Sequence, residues 1–529
     1  MASISLTLSE DYWRNLQFGE KDLEFVSTYL FEHETPLTEK EILPVLLEER
    51  LRLEQEALRR RRQGNSKLYL PREHYRPGDG LVFPALDWKG GRVTAVRPGV
   101  NPALGEFEVI EVEFADGSRR QFAAGLETHA LNAPPEAPQD EQQSLETILA
   151  QHEAELTRKL VAALEADPNL VRIAGRWFPR ALLVDVNLGH LNLAEAVLDE
   201  AKGQPLPTSA LLEQVELPAD INPKLLEFSM NLALQEDERF DEVGPAGEVL
   251  WCLRRLEPPD VQQVPAFLRY LPLEYDTSLL TEEMRALEAN LDDELSDIEP
   301  PANLPEEVTL SLSYPHWRAG TLPLSARMRG LFPTAYVTPR VRFTILDGVT
   351  NQEMPAWVVR QHGYVAGLGD LYRKHGLIPG SLITVRRSKK PGQVILEARV
   401  HRPMRDWVRT VLVGSDGGLV FATLKQNLTC EFNERMVIAV PDIEGVDQAC
   451  ARLTAEKPPF ENLALGMLRE LSKLNVQGHV HAQELYSAIN IVRRCPPAPL
   501  FAWLAGRSDI KHVGDLHFRL TEAQEASDD

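Results

Sequence analysis

Residues Gly363–Arg387, GYVAGLGDLYRKHGLIPGSLITVRR, are the most patterned stretch of this 529-residue chain. YVAG ends a strand. LGDLYRKHG reads as one short helix, with Leu368, Leu371 and Tyr372 turned inward. Arg373, Lys374 and His375 fall at its carboxyl end, where cations oppose the helix dipole. Gly376 follows as the expected C-terminal cap, since only glycine takes a left-handed backbone without a Cβ penalty. LIPGS is a turn, and LITVRR alternates as a strand does. The surroundings are basic: residues 311–410 carry sixteen Lys or Arg and five Asp or Glu, a balance of +11. Yet the whole chain stands at −23, and residues 256–308 hold two basic and fourteen acidic side chains, a balance of −12. Charge sorted this way along a chain implies sorted tasks.

Upstream of that stretch lie TLPLSARMRGLFP, RVRFTILDG and MPAWVVRQH. Taken in order over residues 321–400, the series resembles the DNA-binding pseudobarrel of plant auxin-response factors. That family runs from an LP strand and a helix ending in FP to a V.L.D strand and a Trp strand. Then come YVL..GW..F with a short helix, a Gly-Asp turn and a final strand. Three positions differ: Gly367–Leu368 replaces Gly-Trp, Tyr372 replaces the helix Phe, and Gly380–Ser381 replaces Gly-Asp. The family grips the major groove with two arms. The resemblance implies that Ser325, Arg327 and Arg329 form the first arm, and Arg360, Gln361 and His362 the second. Arg and Gln have the forked geometry that reads guanine and adenine edges. Arg340, Arg342, Arg386, Arg387, Lys389 and Lys390 are the expected phosphate contacts.

Working outward, residues 461–522 and 145–256 share an order of three helical patterns and an alternating tail. RFDEVGPAGEVLWCL and RSDIKHVGDLHFRL mark the two tails. Three helices and a hairpin are the winged-helix order. The segments near 188–256 and 461–520 resemble HARE-type winged-helix modules, as in the bacterial RNA polymerase delta subunit. Their third helices, NPKLLEFSMNLALQED and PPAPLFAWLAGRSD, are poor in cations, so contact with protein partners is the expectation for these modules. Residues 8–70 are helical and read as a divergent third copy. Residues 75–130 alternate between Gly, Pro and Asp turns, as a small SH3-like β-barrel does. Residues 131–144 read as a linker, 257–308 as an acidic connector, 309–440 as the pseudobarrel and 441–460 as a second connector. The expected class is thus multidomain α+β: winged-helix modules, a small SH3-like β-barrel and a β-pseudobarrel.

No apolar run reaches the ~20 residues of a membrane helix, and MASISLTLSEDYWRNL lacks the pattern of a signal peptide. The expectation is a soluble, cytoplasmic protein without membrane contact. The four cysteines, Cys252, Cys430, Cys450 and Cys495, form no ligand pair. No nucleotide-binding loop, HExxH, GxSxG or catalytic triad pattern occurs, so no enzyme, metal or cofactor is expected. Asp292–Asp293 fall in a stretch read as a charged helix or a tether over basic surface. Two functions follow. One is a non-enzymatic DNA-binding protein of transcription regulation or genome defence, with RNA as a further possible ligand. The other is a protein-interaction adaptor whose DNA-binding folds no longer bind nucleic acid.

Overall fold

The computed structural model describes residues 10–63, 67–86, 89–101, 105–114, 117–132, 145–215, 217, 221–335 and 338–521. Most of the expected linker, residues 133–144, lies outside them. The chain is mixed α+β and divides into two compact units, Met1–Leu183 and Val184–Asp529.

In the first unit, helices Glu20–His33 and Glu39–Gln63 are joined through the short strand Leu37–Thr38. The chain then builds a five-stranded sheet from Lys67–Leu68, Gly80–Phe83, Lys89–Pro98, Glu108–Phe114 and Arg119–Ala124, adjacent in chain order. Period-two alternation sends Leu81, Phe83, Val93, Ile110, Val112 and Phe114 into one core with Tyr69 and Tyr75. Helix Leu145–Ala166 comes next and packs on Glu39–Gln63. Its hairpin, Leu170–Ile173 with Arg176–Pro179, returns to pair with Leu37–Thr38. Residues 145–183 therefore complete the amino-terminal helical module, and the five-stranded sheet interrupts that module. The sequence reading had joined them to the segment that follows.

The same order, helix–strand–helix–helix–hairpin, recurs twice in the second unit. One copy runs from Leu188–Glu200 to Leu250–Leu253, the other from Phe460–Ser472 to His517–Leu520. The three copies agree in register. The short strand's aliphatic residue faces an aromatic one: Leu37 opposite Trp177, Leu206 opposite Trp251, Val480 opposite Phe518. One backbone bond closes each hairpin: Arg180 N to Asn169 O, Arg254 N to Arg239 O, and Thr521 N to Asp509 O. Pairs of this kind, aromatic over aliphatic, are the unit of sheet stabilisation.

Between these two copies lies a seven-stranded sheet curled into a half-barrel. Its spatial order is Glu307–Ser311, Leu382–Arg387, Gln393–Ala398, Arg340–Asp347, Glu353–Val359, Tyr364–Ala366, Thr321–Pro323. Strand Arg340–Asp347 shows why it curls around a core: Val341, Phe343 and Ile345 point in, while Arg340, Arg342 and Thr344 point away. The expected short helix is Gly369–His375, with Leu371 and Tyr372 buried. Gly376 caps it at φ +62°. The side chains at its end meet a buried carboxylate of the RVRFTILDG strand: Lys374 Nζ lies 3.0 Å and His375 Nε2 2.9 Å from Asp347 Oδ2.

The hairpin Val400–Val413/Leu419–Cys430 is a separate two-stranded ribbon rather than part of that sheet. The second connector holds an ordered helix, Ile443–Glu456, packed against this ribbon and against helix Ala482–Val492. All four cysteines are free and buried. No described helix is long and apolar enough to cross a membrane.

Candidate functional site

The two arm segments lie side by side. Strand Thr321–Pro323 pairs with Tyr364–Ala366, and Leu324 N donates to Gly363 O at 2.7 Å. The segment after Leu324 and the turn at residues 360–363 thus share one rim of the half-barrel.

Three arginines decorate that rim. Arg360 Nη1 donates to the carbonyls of Ala335 and Thr338, at 2.9 and 3.0 Å. Arg329 Nε donates to Leu324 O at 3.2 Å, and Arg387 donates twice to Gly330 O, from Nε at 3.1 Å and from Nη2 at 2.5 Å. All three are exposed. Carbonyls orient a guanidinium without cancelling its charge, and the remaining N–H groups stay free to donate. None of the three forms an ion pair with a carboxylate among the described residues. Gln361 and His362 are exposed beside them, the His362 ring lying parallel to Tyr364 at 6.5 Å.

The other sequence-predicted residues are engaged by the chain itself. Ser325 is buried, and its hydroxyl donates to Asp292 Oδ2 at 2.5 Å. Arg327 Nε lies 3.1 Å from the same oxygen, and its Nη2 donates to Asn290 O at 3.1 Å. Arg340 and Arg342 face the helical module before the barrel. Arg340 Nη1 reaches Asp241 at 2.6 Å and Glu257 at 2.9 Å, and Arg342 Nη2 reaches Gln204 Oε1 at 2.9 Å. Burial makes Arg342 easier to deprotonate than a free guanidine. Arg386 pairs with Glu397 on the neighbouring strand and Lys390 with Glu353, each at 3.2 Å, while Lys389 is exposed.

The acidic connector folds against both neighbours, a long-range assembly to which the LDDEL motif gave no pairing signal. Helix Glu282–Leu291 ends at Asp292, which adopts the left-handed region at φ +49°. That turn aims three successive carboxylates in different directions. Asp292 goes to the first arm. Asp293 takes a 2.5 Å bond from Arg494 Nη2 and another of 2.5 Å from the Tyr486 hydroxyl. Glu294 lies 2.8 Å from Arg494 and 3.1 Å from His316 Nε2. Burial raises the Glu294 carboxyl, but the Arg494 and His316 charges more than reverse that and hold it well below the usual carboxylate range. Burial, with Asp293 next, pushes the Tyr486 phenol far up. A cavity of about 130 Å³ opens beside the three acids. The same connector, through Thr277–Leu279 and Glu282–Leu291, packs on the third helix of the carboxyl-terminal module, Pro497–Gly506. That helix is buried at Pro497, Ala498, Pro499, Leu500, Phe501, Ala502 and Leu504.

Comparison with family models, curated proteins and solved structures finds no match to this chain.

Proposed function

We propose that this chain is a non-enzymatic nucleic-acid-binding protein that meets duplex DNA at the rim of its half-barrel. The observation that carries this reading is the rim itself. Arg329, Arg360 and Arg387 are anchored on carbonyls of one segment, carry no carboxylate partner among the described residues, and stand beside Gln361 and His362. A cluster of unpaired guanidiniums in a chain of net charge −23 is what phosphate contact requires. Forked donors beside it are what base edges require. The contact surface is narrower than the sequence reading had it, because Ser325, Arg340 and Arg342 serve packing within the chain.

A second reading, the protein-interaction adaptor, is favoured by one observation. The chain's own segments cover Arg340, Arg342 and the third helix of the last module. Titrating duplex DNA against the full chain over a range of salt separates the two. Neutralising three phosphate contacts reduces the slope of log K against log salt by about 2.7, at ~0.9 per contact. An Arg329→Gln, Arg360→Gln, Arg387→Gln variant is expected to lose that much. No duplex binding at low salt by the unaltered chain overturns the duplex reading at the rim.

A further inference from the structure

The ribbon after the half-barrel is buried toward both ends and bare along its middle. Val408, Val411, Leu419, Phe421 and Leu428 are buried, whereas Met404 and Trp407 are 49% and 60% exposed. Its two strands carry four cations, Arg402, Arg405, Arg409 and Lys425, and one acid, Asp406. Arg409 is committed to Glu484 at 2.8 Å. The other three cations have no carboxylate partner among the described residues. Lys425 lies opposite Trp407 in the ladder, its Nζ 5.2 Å from the ring. Arg405 is opposite Asn427, whose Oδ1 accepts from its Nε at 3.2 Å. Facing pairs share a side of the sheet, so Arg405, Trp407 and Lys425 present one surface. The ladder is irregular between Val400 and Met404, and Pro403 falls there, where no ladder N–H is needed. Arg402, beside that irregularity, is exposed as well.

An exposed indole of this size needs an occupant or a reason. Beside it runs a cleft of about 370 Å³ with apolar walls at Val408, Phe432 and Leu471. The carboxylates Asp406, Glu434 and Glu484 also line it, Glu484 paired with Arg409, so phosphates are placed on the exposed face of Arg405 and Lys425 and not in the cleft. Charge selects among occupants: Lys425 at the ring and Arg405 on the same face, with Arg402 further along the strand, fit a polyanion that also has flat apolar faces. In a duplex those faces are stacked on each other and out of reach. In a single strand they are free, and base–aromatic stacking beside backbone cations is the ordinary means of holding it.

We infer that the ribbon centred on Trp407 is a single-stranded nucleic-acid platform, separate from the duplex-contacting rim. Trp407 stacks a base, and Arg402, Arg405 and Lys425 hold the flanking phosphates. This deepens the proposed nucleic-acid reading and rests on it, yet it stands on different residues. The two can therefore fail independently.

The test uses the full chain and fluorescence anisotropy with labelled oligo(dT) at low salt, beside a duplex of equal length. Trp407→Ala is expected to weaken oligo(dT) binding by roughly 5- to 150-fold, the range for losing one stacked base. Duplex binding should stay unchanged. The ring is exposed, so folding is not at stake, and Trp407→Phe should recover most of the loss. The rim triple variant should show the reverse pattern. Loss of duplex binding alone in the unaltered chain would remove the rim reading and leave this one in place. Absence of oligo(dT) binding, or binding insensitive to Trp407→Ala, overturns the platform. So does Trp407-dependent binding to equimolar phosphatidylserine–phosphatidylcholine vesicles in place of oligo(dT).

Discussion

Replacing Arg494 by Met should loosen the carboxyl-terminal module from the acidic connector. The Arg494 side chain is 2% exposed, and it lies 2.5 Å from Asp293 and 2.8 Å from Glu294, themselves 1% and 5% exposed. At an effective dielectric of ~20, each contact at such a distance is a Coulomb attraction of about 6 kcal/mol. Desolvating three ions offsets most of that, so the pair network adds little over an apolar equivalent. The cost appears when one partner is removed. Two carboxylates then stay buried with no full counter-charge from Arg494, met by the Leu295 amide, the Tyr486 hydroxyl and His316, and the expected loss is about 3–5 kcal/mol. Hydrogen exchange across residues 280–300, with urea unfolding followed by tryptophan fluorescence, reads it. A second variant keeps the reasoning exposed. Adding Asp293→Asn and Glu294→Gln to Arg494→Met removes the stranded charges and should restore much of the protection. A loss below about 1 kcal/mol for Arg494→Met would refute the argument, as would failure of the triple variant to recover. The exposed pair Arg373–Asp370 is the control, where Arg373→Ala should change nothing measurable.

Three further outcomes are expected. Burial, then Asp241, pushes the Glu257 carboxyl up from 4.5 to about 8, so the folded chain holds that proton more tightly than the unfolded one. Its contribution is full below 4.5 and is lost as pH rises through about 8; Glu257→Gln should flatten thermal stability between those values. Gly376→Ala should cost about 1–2 kcal/mol in urea unfolding, because φ is +62° and the added Cβ would meet Thr429 Oγ1 at 2.9 Å. Asp292→Asn should release Arg327 to DNA, steepening the salt dependence of duplex binding by about one phosphate contact; an unchanged slope would show that the connector does not restrain the rim.

Much of the fold was legible because it is local. Alternation in VRFTILDG and VIEVEF, the cap at Gly376 and the cations of LYRKH follow from near neighbours and from the periods of strand and helix. The basic rim was half legible: composition placed positive charge in residues 311–410, but not which cations would face solvent. Arg340 and Arg342 alternate out of the half-barrel as strand geometry requires, and only docking of the earlier module onto that face buries them. The amino-terminal module was legible only in its first part, residues 8–70, for a similar reason. Its second and third helices are separated by the whole five-stranded insertion, so its pattern is broken in sequence and restored only when Trp177 comes opposite Leu37. The acids at 292–294 look like any charged helix end, since nothing local tells a solvated carboxylate from one that meets Arg494 two hundred residues on. Periodicity reports which side of an element is apolar; what covers that side, and which charges meet across it, is decided by packing between elements distant in the chain.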